Sequence, residues 1–202
     1  MVINLRQRKK AATRKRILDT ALRLFARRGF ESPTVEEIAV AARVGKGTIY
    51  NYFRTKEDIL VAFIAAQEAR VQQRLARLLK RDLGAESLLT LYLREQFRLK
   101  RPYRQFTRVF LAQLVLRGEE IAPQLAAMQP AIDGTLAALF ESLRRRGKIS
   151  DDVETEALVR AFKTLHLGLT VIWAMLPARS GGVDVLSEET VRQFCRGLEK
   201  GK

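Results

Sequence analysis

The sequence has little of the chemistry that metal sites and covalent catalysis require. Its 202 residues include one cysteine, Cys195, and one histidine, His166. A single cysteine rules out a disulfide within the chain and fits a reducing cytosol, and a single histidine is too few for a metal centre. CxxC pairs, glycine-rich phosphate loops and nucleophile elbows are also missing from the sequence. We therefore expect no metal site, no cofactor and no enzyme.

Long hydrophobic runs are missing as well. The longest nearly apolar run covers residues 165–178, which is 14 residues with His166 inside it. A membrane-spanning helix needs about 20. The opening residues, MVINLRQRKK, carry charges without the apolar core of a signal peptide. The sequence thus predicts a cytoplasmic protein that does not span a membrane.

Acidic residues are scarce at one end of the chain. Lys and Arg outnumber Asp and Glu by 37 to 22, which gives a net charge of +15. Residues 1–56 hold 14 basic and 4 acidic side chains, a net charge of +10, whereas residues 57–202 hold 23 and 18. Such a surplus favours a polyanion as partner. We predict a basic binding domain over residues 1–55 and a second domain over residues 56–202.

Sequence alternation typical of β-strands is also lacking, and nearly every segment has helical periodicity. The capping box of Thr34 and Glu37 predicts the start of a second helix, and Thr55 offers a similar cap for a fourth. The turn at Gly45 leaves room for only one short helix between them. We predict an all-α fold with helices over residues 8–28, 35–42, 46–53, 56–80, 86–100, 103–117, 124–146, 152–176 and 187–199.

The short third helix has two contrasting sides. At 100° per residue, Ile49 and Phe53 fall together and must face the core, and Gly47 and Asn51 then project furthest outward. A helix that enters the major groove needs a small residue where its backbone approaches the bases, and the Asn51 amide is able to read an adenine edge. Hydroxyl groups on the flanks, from Thr48 and Tyr50, suit the phosphates along the groove. The second and third helices are therefore predicted to form a helix-turn-helix.

The segment TVEEIAVAARVGKGTIYNYFRTKEDIL, residues 34–60, resembles the DNA-binding signature of TetR-family regulators. In that signature, a threonine-capped helix and a short helix that closes with Tyr-Phe lead into Lys-Glu at the next helix. The resemblance covers about residues 10–63 and departs at Gly45, where relatives often carry serine or threonine. It implies a three-helix DNA-binding domain with phosphate or base contacts at Thr34, Lys46, Gly47, Thr48, Tyr50, Tyr52 and Lys56.

The helix predicted over residues 152–176 has apolar residues at heptad-like spacing, which favours a partner helix. Members of the TetR family use two such helices in a four-helix dimer interface, and the resemblance implies the same homodimer here. The alternative is an ordinary core within one chain. The candidate interface residues are Leu158, Phe162, Leu165, Leu169 and Ile172, with Phe194 and Leu198 on the last helix.

The resemblance also implies an inducer pocket within a larger helical domain that binds ligand and forms the dimer. Plain core packing is the alternative for each candidate, because aromatic residues at helical spacing are common in cores. The pocket candidates are Phe97, Phe106, Phe110, Met128, His166 and Trp173.

Together these features predict a homodimeric transcriptional regulator that binds a double-stranded DNA operator. The expected mode is a repressor released from a palindromic site by a small, largely apolar ligand. Two alternatives stay open. One is a basic helical protein that coats nucleic acid without sequence preference, and the other is a protein of the membrane surface. The basic segment 6–16 is either a solvated helix start or an arm that reaches the adjacent minor groove.

Overall fold

The computed structural model describes residues 5–116, 118–126, 129–177 and 182–198. Over these ranges the chain forms α-helices joined by turns, with one short 3-10 segment and no strand, which confirms the predicted all-α fold. The helices are α1 Leu5–Arg28, α2 Val35–Ala41, α3 Lys46–Tyr50, α4 Lys56–Leu78, α5 Ala85–Lys100, α6 Arg104–Leu116, α7 Gly118–Ala126, α8 Gln129–Arg145, α9 Thr155–Met175 and α10 Gly182–Arg196.

One predicted helix begins in the wrong place. The sequence pattern predicts a single helix over residues 124–146, whereas α7 occupies Gly118–Ala126 and α8 begins at Gln129. Pro123, the residue directly before the predicted helix, lies inside α7. A proline within a helix removes one backbone hydrogen bond, and α7 is short, at nine residues.

The chain divides into two compact units. The described residues up to Ala66, together with Tyr103–Leu125, form the N-terminal unit, and those of Gln67–Pro102 and from Ala126 onward form the C-terminal unit. The N-terminal unit is therefore larger than the predicted segment 1–55. Helix α4 contributes its first part to one unit and its remainder to the other.

Aromatic and aliphatic side chains from beyond residue 55 complete the core of the N-terminal unit. Ile17, Phe25 and Ile49 are fully buried in this core. Phe106 from α6 is also buried in it, with its ring centroid 4.9 Å from that of Phe63 and 6.3 Å from that of Phe25. Burial of aromatic rings is a major source of stability, which explains why α6 belongs to this unit.

The predicted capping box at the start of α2 is confirmed. The Thr34 hydroxyl accepts a hydrogen bond from the Glu37 amide at 3.1 Å, and the Glu37 carboxylate accepts one from the Thr34 amide at 2.8 Å. Thr55 and Asp58 form the same reciprocal arrangement before α4. Each box satisfies two backbone donors that a helix start leaves unpaired. The predicted end of α1 is also confirmed, because Gly29 follows Arg28 with a φ of +79°.

The C-terminal unit packs α9 against α8 and α10, and α10 against α5. Its centre is an aromatic cluster around Phe162. The Phe162 ring lies 5.8 Å from that of Tyr92, 6.0 Å from that of Phe140 and 5.6 Å from that of Phe194. These helices therefore share one core inside a single chain.

This core corrects most of the predicted dimer interface. Leu158, Phe162, Leu169 and Leu198 are only 3%, 0%, 3% and 7% exposed, so they cannot meet a partner subunit. Phe194 packs on Phe162 of its own chain, and Leu165 is half-buried. The heptad-like row on α9 faces the other helices of the same unit. Only Ile172 among the candidates remains exposed.

Another side of α9 carries apolar residues that no described part of the chain covers. We call Leu167, Val171, Ile172 and Met175 the outer face of α9; they are 52%, 37%, 42% and 75% exposed. By length and composition α9 is also apolar enough to cross a membrane, with 39% of its most apolar window buried. A core helix of a soluble protein passes the same test.

Candidate nucleic-acid interface

Helices α2 and α3 form a helix-turn-helix held by backbone hydrogen bonds. Within the turn, the Arg43 amide donates to Val40 O at 3.0 Å and the Val44 amide donates to Ala39 O at 3.0 Å. Arg43 has a φ of +53°, which is uncommon for a residue other than glycine. Gly45 caps α3 through its carbonyl, which accepts from the amides of Thr48 and Ile49. The turn thereby fixes the direction in which α3 leaves α2.

Helix α3 is shorter than predicted, because it ends at Tyr50 and not at Phe53. The amides of Tyr52 and Phe53 both bond to Ile49 O at 2.9 Å in a final tight turn. The next amides, those of Arg54 and Thr55, donate to the Asp58 carboxylate at the start of α4. The capping box of α4 therefore also ends the turn that follows α3.

The predicted division of α3 into an inner and an outer side is correct. Ile49 and Phe53 are buried, and Gly47, Thr48 and Asn51 are exposed. A Cβ atom added to Gly47 would meet no atom within 4 Å. The fold itself therefore does not require glycine at this position, whereas a close approach of the backbone to another molecule does.

A carboxylate that the sequence analysis missed joins α2 to α3. The Tyr50 hydroxyl donates to Glu36 Oε1 at 2.8 Å, and Lys46 Nζ lies 3.1 Å from the same oxygen. The bond from Tyr50 lowers the pKa of Glu36 most, and the Lys46 ammonium lowers it further. The same bond raises the pKa of Tyr50, so the phenol keeps its proton. We call Glu36, Lys46 and Tyr50 the Glu36 cluster.

Lys56 has its ammonium turned toward the protein. Its Nζ donates to the carbonyl oxygens of Phe30 and Glu31 at 2.9 and 2.8 Å, and it lies 5.0 Å from the centre of the Phe30 ring. Its side chain is 19% exposed. Lys56 thus ties the turn after α1 to the start of α4, and its contact with phosphate stays a prediction.

The structure also describes the other residues that were predicted to contact DNA. Thr34 is exposed, and its hydroxyl proton is not used by the capping box, in which the oxygen is the acceptor. Tyr52 is half-buried and packs against the hydrophobic core. The basic segment 6–16 is helical, because α1 begins at Leu5. Arg14 within it stacks over the Phe53 ring at 5.1 Å.

The comparisons with known proteins agree with this geometry. Residues 17–63 match the model of "Bacterial regulatory proteins, tetR family". The N-terminal region therefore carries the DNA-binding domain of TetR-family regulators. It is 26% identical to the HTH-type transcriptional regulator UidR of Escherichia coli over 196 residues, which is 92% of this chain and 89% of UidR. The relatives found are transcriptional regulators and not enzymes, and with the matched DNA-binding domain this protein is a transcriptional regulator.

Solved structures share the fold over nearly the whole chain. The fatty acid degradation regulator FadR from Bacillus halodurans has a TM-score of 0.78 at 20% identity and covers 94% of this chain and 97% of its own. FadR of Thermus thermophilus, solved with lauroyl-CoA, has a TM-score of 0.71 at 24% identity, with 94% and 96% covered. At this identity the likeness shows the fold alone.

The structure brings three of the pocket candidates together. The Phe97 ring lies 6.2 Å from that of His166 and 5.7 Å from that of Trp173, all in the C-terminal unit. Phe106 and Phe110 instead pack in the core of the N-terminal unit. Met128 lies outside the described residues. An open groove of about 340 Å³ between α8 and α9 includes none of these candidates.

A polar cluster that the sequence analysis missed adjoins these rings. Lys100 Nζ lies 2.7 Å from His166 Nε2 and 3.4 Å from Thr170 Oγ1. Burial lowers the pKa of Lys100 to about 8, and the more distant Glu68 charge opposes this effect. Burial and the Lys100 charge lower the pKa of His166 well below its usual range, so its neutral ring accepts the hydrogen bond. Among the described residues, no carboxylate lies within ion-pair distance of Lys100.

Helix α4 carries two buried acceptor oxygens without a hydrogen bond in the described part of the chain, and one of them belongs to Glu68, whose charge acts on Lys100. Glu68 Oε2 accepts a weak hydrogen bond from Gln96 Nε2 at 3.4 Å, while Glu68 Oε1 is buried without a hydrogen bond in the described part of the chain. Gln67 Oε1 on the same helix is also buried and unpaired there. Unpaired buried polar groups are rare in folded proteins and mark sites that have another role.

Gly47→Ala should affect the stability of the fold and the affinity for DNA in different ways. Alanine in this helix removes the conformational freedom of glycine without a clash, so stability should stay equal or rise by up to about 1 kcal/mol. Binding to the DNA operator should nevertheless weaken, because the new methyl group occupies the space where bases would approach. Thermal unfolding and fluorescence anisotropy on the same samples measure both effects.

Gly134→Ala is the matched control for this prediction. Gly134 also lies within a helix, and a Cβ atom there meets no atom within 4 Å. It should change stability in the same direction and leave DNA affinity unchanged. Equal DNA affinity for Gly47→Ala and the native protein would show that no base approaches the backbone at Gly47.

Proposed function

We propose that this regulator is a cytoplasmic, homodimeric repressor that reads a palindromic DNA operator and is released by a small ligand with an apolar body and an acidic group. The observation that carries DNA reading is the outer side of α3. It presents Gly47, Thr48 and Asn51 on a short helix whose inner side is fully anchored. These residues are exposed on a strongly basic unit, and the fold does not require their side chains.

Sequence reading follows from the chemistry of these side chains. The Asn51 amide has both a donor and an acceptor, which match the N7 and N6 atoms of adenine in the major groove. Thr48 and Tyr50 on the flanks, with Lys46, reach the phosphates that fix the position of the helix. Basic charge alone would attract any nucleic acid, but it would not require a small residue between an amide and two hydroxyl groups.

Selection from a random pool of DNA duplexes at moderate salt tests this proposal. The native protein should enrich a palindromic site. Asn51→Ala should relax the preference at one base position of each half-site by about 1–3 kcal/mol. Tyr50→Ala should instead weaken binding to all sequences. Binding without any enrichment would establish the alternative of a basic protein that coats nucleic acid.

A second copy of this chain is the proposed partner of the outer face of α9. Four large apolar side chains there lie exposed in a row, and Gly168 between them leaves space for close approach of another helix. A helix-turn-helix protein needs two-fold symmetry to read two half-sites one turn of DNA apart. The proposed dimer contact therefore shares only Ile172 with the row that the sequence analysis selected, and its other residues lie on a different face of α9.

Val171→Glu should dissociate this dimer, because it places a charge in the middle of an apolar contact. Sedimentation should then show a monomer, and operator affinity should fall on the order of 100-fold as the two-site contact is lost. Val115→Glu is the matched control, since Val115 is also an exposed valine on a helix. A dimeric Val171→Glu protein would place the interface elsewhere.

The site proposed for the ligand is the cluster of Phe97, His166 and Trp173 with Lys100. A partly buried charge without a counter-ion within ion-pair distance is less stable than a paired one, and the acidic group of a ligand would supply the opposite charge beside Lys100. The aromatic rings would cover its apolar part. Two FadR proteins of this fold were solved with lauroyl-CoA and stearoyl-CoA, which supports acyl compounds as the first class to test.

Release would follow from a shift between two conformations. The ligand favours a state in which the two α3 helices of the dimer no longer match successive major grooves. Helix α4 begins directly after the helix-turn-helix and continues into the C-terminal unit. It is therefore the proposed element through which the ligand site affects the spacing of the reading helices.

Lys100→Met should separate ligand response from DNA binding. Operator affinity should stay the same, while the concentration of lauroyl-CoA or free laurate that releases half of the DNA should rise about tenfold or more, since a charged hydrogen bond is lost. For the native protein, release should weaken as the pH rises through about 8, where Lys100 loses its charge. Lys148→Met, at an exposed lysine paired with Asp82, is the control. Unchanged release by Lys100→Met would exclude this site.

A further inference from the structure

The N-terminal unit places a carboxylate on the surface that faces a polyanion. Residues 1–56 contain only four acidic side chains. Asp19 pairs with Lys15 one helical turn away, Glu37 completes the capping box, and Glu31 lies near Lys56. Glu36 differs from these three, because both of its side-chain partners, Lys46 and Tyr50, lie on α3, the helix proposed to enter the major groove. An acid at such a place opposes the attraction to phosphate and therefore calls for a reason.

The stability of α2 does not supply that reason. Its first turn is already capped by Thr34 and Glu37, and a further exposed acid there adds little. Glu36 instead reaches across to α3, ten and fourteen residues further along the chain. The contacts hold its carboxylate against the flank of α3 that carries Lys46 and Tyr50.

We propose that Glu36 reads a cytosine in each half-site of the operator, with its carboxylate accepting a hydrogen bond from the exocyclic amine. The inference rests on the proposed function, because it requires that α3 enters the major groove. It adds a base-reading residue on α2, outside the helix that carries the other proposed contacts.

The inventory of donors and acceptors in the Glu36 cluster supports this assignment. The single hydroxyl proton of Tyr50 is donated to Glu36 Oε1, which also faces Lys46 Nζ, whereas Oε2 takes part in neither contact. A carboxylate has acceptors only, so it cannot bind phosphate, and the DNA groups open to it are the amines of cytosine and adenine. Adenine also offers N7, an acceptor that needs a donor which Glu36 lacks. Cytosine is therefore the better match.

Lys46 reduces the electrostatic repulsion between the Glu36 carboxylate and the phosphates of the DNA. Lys46 Nζ is 3.1 Å from Glu36, so the two charges largely cancel at this point of the surface. Lys46 has three donors, and it is able to keep Glu36 and still reach a phosphate. Tyr50 has one proton, which it gives either to Glu36 or to a phosphate. While its proton is donated to Glu36, the Tyr50 hydroxyl has only acceptor lone pairs left for the DNA. Glu36 therefore controls whether Tyr50 is able to donate to a phosphate.

Selection from a random duplex pool with Glu36→Gln and Glu36→Ala tests the proposal. The native protein should prefer cytosine at one position of each half-site, and Glu36→Ala should reduce that preference about tenfold. Glu36→Gln should change the preferred base at the same position toward adenine, because an amide donates to N7 and accepts from N6. Thermal unfolding of each variant confirms that it is folded.

Glu31→Gln is the matched control, since it removes the same charge from the same unit at a site away from α3. It should raise affinity slightly for all sequences and leave every preference unchanged. If both Glu36 variants behave like Glu31→Gln, the carboxylate acts only through its charge and the proposal is wrong. A native protein that enriches no site at all would overturn the proposed function itself, which is a different result from the same experiment.

Discussion

A helix of five residues has almost no stability of its own, and α3 therefore depends on the side chains and bonds that anchor it. Ile49 and Phe53 bury its inner side in the core of the N-terminal unit. The Gly45 carbonyl holds its first turn, and the Asp58 carboxylate takes the amides that follow it. Because the anchoring lies entirely on one side and at the two ends, the outer side is left for residues that the fold does not require.

Some residues have a type that is typical of binding sites, yet their side chains are already used by the fold. Lys56 carries a positive charge at a position typical of a phosphate contact, yet its ammonium closes the turn after α1. Phe106 has the size and character of a pocket residue, yet it completes the core beneath the helix-turn-helix. Gly47 makes no contact that the fold requires. Its small size is therefore the stronger indication of an external partner.

Helix caps and helix faces were predictable from sequence, whereas the element that packs against each face was not. The capping boxes of Thr34 and Thr55 and the two sides of α3 depend on residues within one or two helical turns, so spacing alone reveals them. The row of Leu158, Phe162 and Leu169 on α9 was correctly recognised as apolar, but periodicity does not say whether the same chain or a second one covers it. Glu36 was missed because its contacts cross a turn whose path depends on the positive φ of Arg43.

The magnitude of the proposed switch limits which ligands would be able to operate it. Moving a two-state protein from about 1:99 to 99:1 needs a difference in binding free energy of about 5.5 kcal/mol between the states. An uncompensated buried charge is worth about 3–5 kcal/mol, and Lys100, which is only half-buried, lies toward the lower end. Each buried methylene adds about 0.8 kcal/mol. An acidic group alone would therefore shift the population only in part, whereas an acid whose short apolar chain also packs against Phe97 and Trp173 would complete the change.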